Sequence, residues 1–140
     1  MTPGTFAAIF AALYAGHVVG DLVVQTHWQS QHKAERSWRG VVAMAGHLAG
    51  YATTQIVALI AVTTVGARFG LAASIAGLAF SVSSHGFIDR RWPVVWILDR
   101  TGSAQFARLA SGGVNGAFQA DQALHVGCCF IAALIMGWLS

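Results

Sequence analysis

The chain has 140 residues, 56% of them hydrophobic and only 9% charged, and a mean hydropathy of +0.61. Soluble domains carry roughly 25% charged residues, so this composition excludes an ordinary soluble fold. The net charge of +3 comes from Lys and Arg in the connections between apolar runs, which reads as membrane topology and excludes a nucleic-acid-binding surface. The apolar runs are hydrophobic nearly all the way round, where a soluble bundle would show polar helix faces. Lipid is therefore the expected solvent, and residues 1–140 are expected to form one integral membrane domain.

The first run, about Thr5 to Gln25, has no basic segment before it and continues into Asp21 and Gln25 instead of a small-residue cleavage site, so it reads as a retained span and not a removed signal peptide. A polar connection, Thr26 to Arg39, follows; it carries Lys33, Arg36 and Arg39, with Trp28 and Trp38 suited to headgroup depth. His27 and His32 in this stretch are expected to be solvated. The second run, about Gly40 to Val65, reaches a short turn at Gly66-Ala67-Arg68, which makes it an antiparallel neighbour of the third run, about Phe69 to Ile88. The third connection, Arg90 to Ala120, opens with Trp92-Pro93-Val94-Val95-Trp96, where proline can start a short helix lying in the interface. A further helical piece is expected around Ser103 to Ala110, before Ser111-Gly112-Gly113-Val114-Asn115-Gly116 breaks regular structure. The fourth run is about Asp121 to Leu139, and its adjacent Cys128 and Cys129 lack a metal-binding spacing and read as buried fillers.

Each run is close to the ~20 residues that a bilayer core requires. The expected fold is all-α, a four-helix transmembrane bundle with a short interfacial helix in the third connection. Seven of the eight Lys and Arg lie in the first and third connections, and Arg68 alone lies in the second. The positive-inside rule then puts the two larger connections in the cytoplasm and both termini outside.

The residues with chemistry are His17 and Asp21 on the first run, His47 on the second, His85 and Asp89 on the third, and Asp121 and His125 on the fourth. Three are His/Asp pairs at i,i+4, which on a helix share a face with Cβ atoms about 5–6 Å apart. Antiparallel threading brings all seven to the same end of the bundle. Buried carboxylates cost several kcal/mol each without compensation, and no Lys or Arg is expected at that depth except Arg90 and Arg91 at the edge. One or two divalent ions, Zn, Mn or Fe, would supply the missing charge, with all seven residues as candidate ligands. Gly16-x3-Gly20 and Gly46-x3-Gly50 bracket His17 and His47 and allow close helix approach. Gln25 and Gln122 are expected to support the site by hydrogen bonding, and Tyr51 to be a core residue near it.

This ordered set, His17-x3-Asp21-x3-Gln25, His47-x3-Tyr51, His85-x3-Asp89 and Asp121-Gln122-x2-His125, resembles the bacterial and phage membrane proteins grouped as domain of unknown function 3307, over nearly the whole chain. The resemblance implies a small multi-pass protein of the bacterial inner membrane without an established activity. It also leads one to expect a lysine shortly after Asp89, where this chain has Arg90-Arg91. The His/Asp pattern is similar in style to membrane-bound metal-dependent hydrolases.

The leading expectation is a metal-dependent hydrolase of a phosphate ester or lipid headgroup at the cytoplasmic leaflet, with Asp21 and Asp121 as the catalytic carboxylates and Arg90 and Arg91 holding a phosphate. The alternative is a non-enzymatic bundle that handles a metal, ions or protons, or a phage-encoded membrane factor locked by a His/Asp network. A pore-forming lysis protein has no need of such a cluster.

Overall fold

The computed structural model describes residues 2–140. Helix α1 (Pro3–Val19) starts where the Thr2 hydroxyl accepts from the Thr5 amide and Pro3 occupies the first turn, where its missing N–H costs nothing. It runs directly into a π-helical turn, Gly20–Val24, closed by the Gln25 amide donating to the Gly20 carbonyl. A polar linker with a helix of its own follows, α2 (His27–His32), held by a reciprocal cap in which Thr26 and Gln29 each accept from the other's amide. Helix α3 (Trp38–Thr64) is capped by Ser37 and ends in a turn through Gly66 at φ 101°; α4 (Leu71–Ile88) returns antiparallel to it.

The third connection contains a short helix where the interfacial one was expected, α5 (Trp92–Arg100), and a single turn, α6 (Ala104–Ala107). It then forms a small hairpin, β1 (Ala110–Ser111) with β2 (Val114–Asn115), where irregular chain was expected. Gly112 and Gly113, at φ 58° and 79°, make its two-residue turn. Helix α7 (Gly116–Trp138) begins at Gly116 rather than at Asp121, because Asn115 caps it by accepting from the Phe118 amide at 3.0 Å.

Four helical segments are long and apolar enough to cross a membrane: Pro3–Val24, Trp38–Thr64, Leu71–Ile88 and Gly116–Trp138. They pack in a closed ring, α1 on α3, α3 on α4, α4 on α7 and α7 on α1. The ring buries its polar side chains and turns large apolar ones outward. Val57, Ile60, Leu71 and Ile75 point outward, while His17, His47, Gln55, Ser81, His85 and His125 are buried. That inversion suits lipid, where outward apolar groups cost nothing and polar groups must find partners inside.

The interior divides along the bundle axis. Ile9, Leu13, Leu59, Ala73, Ala132 and Met136 form an apolar core toward the end that carries both termini. The histidines and aspartates occupy the other end. Glycine sets the spacing between α1 and α3: a Cβ on Gly16 would lie 2.8 Å from the Gln55 Cα, and one on Gly20 would lie 3.1 Å from the Tyr51 Cα. The Gly46/Gly50 pair faces a different partner. Gly46 meets Gln29 of α2 and Gly50 meets Val24 of the π turn, so this pair seats the first connection against α3.

Candidate metal centre

The sequence pattern placed seven residues at one end, and the folded chain brings six of them into two overlapping groups. Asp21, His47, His85 and Asp89 offer ligand atoms that all lie within 4.8 Å of one another, and so do Asp21, Asp121 and His125. Asp21 belongs to both. In the first group all four residues are buried; in the second Asp121 is half-buried and lines an adjoining cavity.

The geometry of the first group is compact. Nε2 of His47 lies 2.8 Å from Nε2 of His85, 2.9 Å from Oδ2 of Asp89 and 3.4 Å from Oδ1 of Asp21. Nε2 of His85 lies 3.2 Å from the same Asp89 oxygen and 3.7 Å from the same Asp21 oxygen. A tetrahedral ion bonded at ~2.0–2.1 Å needs ligand atoms about 3.3 Å apart. These five separations bracket that edge length, so the group could hold one such ion.

One charge in this group was not expected from the sequence. Lys33, at the C-terminal cap of α2, turns inward and is buried; its Nζ lies 2.8 Å from Asp89 Oδ1, 3.3 Å from Asp21 Oδ1 and 3.2 Å from His47 Nε2. The expectation that no cation other than Arg90 and Arg91 reaches this depth is therefore corrected. Lys33 gets there because α2 lies close against α3 at Gly46, and because Arg90 and Arg91 pull the linker inward by donating to the carbonyls of Lys33, Glu35 and Ser30.

One ammonium does not satisfy the cluster. If the single lone pair of His47 Nε2 accepts from Lys33, that nitrogen has no proton to give Asp89, and Asp89 Oδ2 is left buried without a hydrogen-bond partner. Both ring nitrogens of His125 are also unpartnered among the described residues. Each such orphan costs about 1–3 kcal/mol, and a cation among them would remove several at once. Asp89 is nevertheless held in its charged form. Burial alone would raise its carboxyl, but the adjoining imidazoles of His47 and His85 and the Lys33 ammonium outweigh that and keep it below the ordinary carboxylate range.

His17 joins neither ligand group. Its Nε2 faces Gln122 Oε1 at 3.2 Å, while the amide nitrogen of Gln122 donates to Asp21 Oδ2 at 2.8 Å and lies 3.4 Å from Asp121 Oδ2. Gln122 thus ties α7 to α1 and orients Asp21. Gln25 holds the π turn by donating to the Asp21 carbonyl. Tyr51 stacks its ring on His85 at 3.8 Å and directs its hydroxyl away from the site, to Ser81 at 2.9 Å and Gln55 at 2.8 Å. The Nδ1 atoms of His17, His47 and His85 find no protein partner among the described residues, so packing rather than a second carboxylate holds these rings. His27 is exposed; His32 is half-buried, tied to the Trp28 carbonyl and to Arg39.

A cavity of about 470 Å³ opens onto the cluster between the π turn, α5 and the start of α7. Its polar wall includes Asp21, Lys33, Asp89, Asp121 and Arg91. Arg91 sits at φ 65°, a left-handed conformation that a non-glycine residue adopts only when the surroundings impose it. Arg90 does not line the cavity; its guanidinium is committed to the linker carbonyls.

No curated protein and no solved structure matches the chain. Residues 9–140, nearly all of it, match the family described as "Protein of unknown function (DUF3307)", and the chain belongs to that family.

Proposed function

We propose that this protein is a membrane-embedded metal-dependent hydrolase acting on a phosphate ester or lipid headgroup at the cytoplasmic leaflet. The observation that carries the reading is the meeting of two imidazole nitrogens and two carboxylates at separations of 2.8 to 3.7 Å, at the floor of a cavity large enough for a small polar group. Asp21, His47, His85 and Asp89 would hold a first Zn, Mn or Fe ion. Asp21, Asp121 and His125 would hold a second where two are bound, and His17 would support Asp21 through Gln122. A divalent ion there supplies Lewis acidity and a water ionisable near neutral pH.

With one ion bound, Asp121 is the carboxylate left free at the cavity wall and serves as general base. The new bond joins the water oxygen to phosphorus and the ester P–O bond breaks. The proton that Asp121 takes from water passes to the leaving alkoxide. The surplus of basic residues in the first and third connections supports a cytoplasmic location for the site.

Full-length protein purified in detergent without chelator is expected to contain at least one Zn, Mn or Fe per chain by elemental analysis, and to hydrolyse lipid phosphates in a reaction abolished in Asp21→Asn and Asp121→Asn. Protein that is folded but metal-free overturns the reading.

Lys33 favours a second reading. Its ammonium already meets Asp21 and Asp89, which supports a non-enzymatic bundle whose Lys/His/Asp network locks the fold. That reading requires full stability without metal and no turnover.

A further inference from the structure

The cavity beside the cluster is built from two kinds of wall. Toward the interior it presents Asp21, Lys33, Asp89 and Asp121; toward the outside it presents Leu22 of the π turn, Val95 of α5 and Phe118 of α7. These three apolar side chains are 55%, 38% and 45% exposed, and they come from three different elements. The mouth therefore has an apolar lip at the depth where Trp92 and Trp96 of α5, each about half exposed, mark the headgroup layer. Arg91 stands on the cavity wall with its guanidinium donating to the Ser30 carbonyl through one nitrogen only, which leaves further N–H groups for a ligand.

Charge selects the occupant. Three carboxylates line the cavity against Lys33 and Arg91, so without an ion its formal charge is not positive. A divalent ion in the Asp21/His47/His85/Asp89 group makes it positive. Only the metal-loaded cavity attracts an anion, and Asp89 Oδ2, buried and unpartnered at its floor, marks where the ion would be anchored. A water-soluble phosphate ester would leave the lip of Leu22, Val95 and Phe118 uncovered. An acyl chain running out through the mouth would cover it. The volume, about 470 Å³, is that of a small-ligand site and suits a headgroup with its chains left in the bilayer.

We infer that the cavity takes the phosphate headgroup of an anionic lipid, which enters sideways from the bilayer past Leu22, Val95 and Phe118, with its phosphate between the ion and Arg91. This rests on the metal-dependent reading above and narrows its substrate class to a membrane lipid carrying an accessible phosphate.

The test uses full-length protein in dodecyl maltoside, with metal content measured on the same sample. Native mass spectrometry then reads binding of dioleoyl phosphatidic acid, dioleoyl phosphatidylcholine and glycerol 3-phosphate. Metal-loaded protein is expected to bind one phosphatidic acid at least roughly tenfold more tightly than either competitor, in line with charge-assisted contacts, and to lose that preference after chelation. Val95→Trp, which closes the mouth, and Arg91→Asn, whose side chain tolerates the left-handed backbone, are expected to lose most of the binding while retaining metal. Equal binding of phosphatidylcholine or of glycerol 3-phosphate by metal-loaded protein overturns the lipid assignment and leaves the metal centre standing. Absence of metal from the wild-type sample fails the underlying reading and the inference together, and elemental analysis alone shows it.

Discussion

At the end of the bundle that carries both termini, Ile9, Leu13, Leu59 and Met136 fill the interior with apolar side chains, whereas the other end buries Asp21, Lys33, His47, His85 and Asp89. The first end is held by shape. In lipid no hydrophobic force draws helices together, so close fit and small residues must do it, as where Gly77 of α4 admits Met136 of α7. The second end is held by charge, and its stability depends on each group having its partner. A change at the apolar end is expected to alter stability alone, while one at the polar end alters stability and metal content together.

The sharpest break of that contrast is Asp89→Asn. It leaves the buried Lys33 without its nearest carboxylate, at 2.8 Å, and removes a candidate ligand. A loss of about 3–5 kcal/mol is expected by steric-trap unfolding, together with loss of bound metal. Leu13→Ala at the apolar end is expected to cost less, roughly 2–3 kcal/mol from the cavity left behind, with metal content unchanged. Loss of metal from that variant would mean that the two ends are one cooperative unit.

Lys33→Met separates the readings of the polar end. Removing an ammonium that competes for the same carboxylates is expected to tighten metal binding by roughly tenfold, on the scale of one charge-assisted contact, while lowering the melting temperature of chelated protein. A variant that is less stable with and without metal, and no tighter in binding, would favour the purely structural network. The smallest effect is expected from Tyr51→Phe, about 1.2 kcal/mol for the two hydrogen bonds its hydroxyl makes to Ser81 and Gln55 inside a membrane bundle. Its ring still stacks on His85, so metal content should not change.

The spans and the meeting of six of the seven candidate ligands were legible because two simple constraints fix them: spans of ~20 apolar residues and alternating threading direction. Lys33 was not legible. In sequence it is one basic residue among several in a polar connection, and only the docking of α2 on Gly46 carries it inward. The signal for α2 itself was present, since Thr26-x-x-Gln29 is a capping-box pattern. Gly112-Gly113 likewise signalled the hairpin. The π turn has no comparable signature. It begins shortly after His17, and the two members of this i,i+4 pair face different partners: His17 meets Gln122 while Asp21 meets Lys33 and His47. Gln122 was assigned a supporting role beside Asp121, but its longer reach to α1 depends on how α1 and α7 pack.

The layer of Ile9, Leu13, Leu59 and Met136 also sets a direction for traffic. Above Tyr51 and Gln55 the described residues bury no charged or amide side chain to hand an ion or proton onward, so the pocket reads as a cul-de-sac and not half of a conduit. Whatever comes in must back out through the same door. A reaction product would therefore compete with fresh reactant for that opening, and vectorial transport would require this oily stopper to come apart.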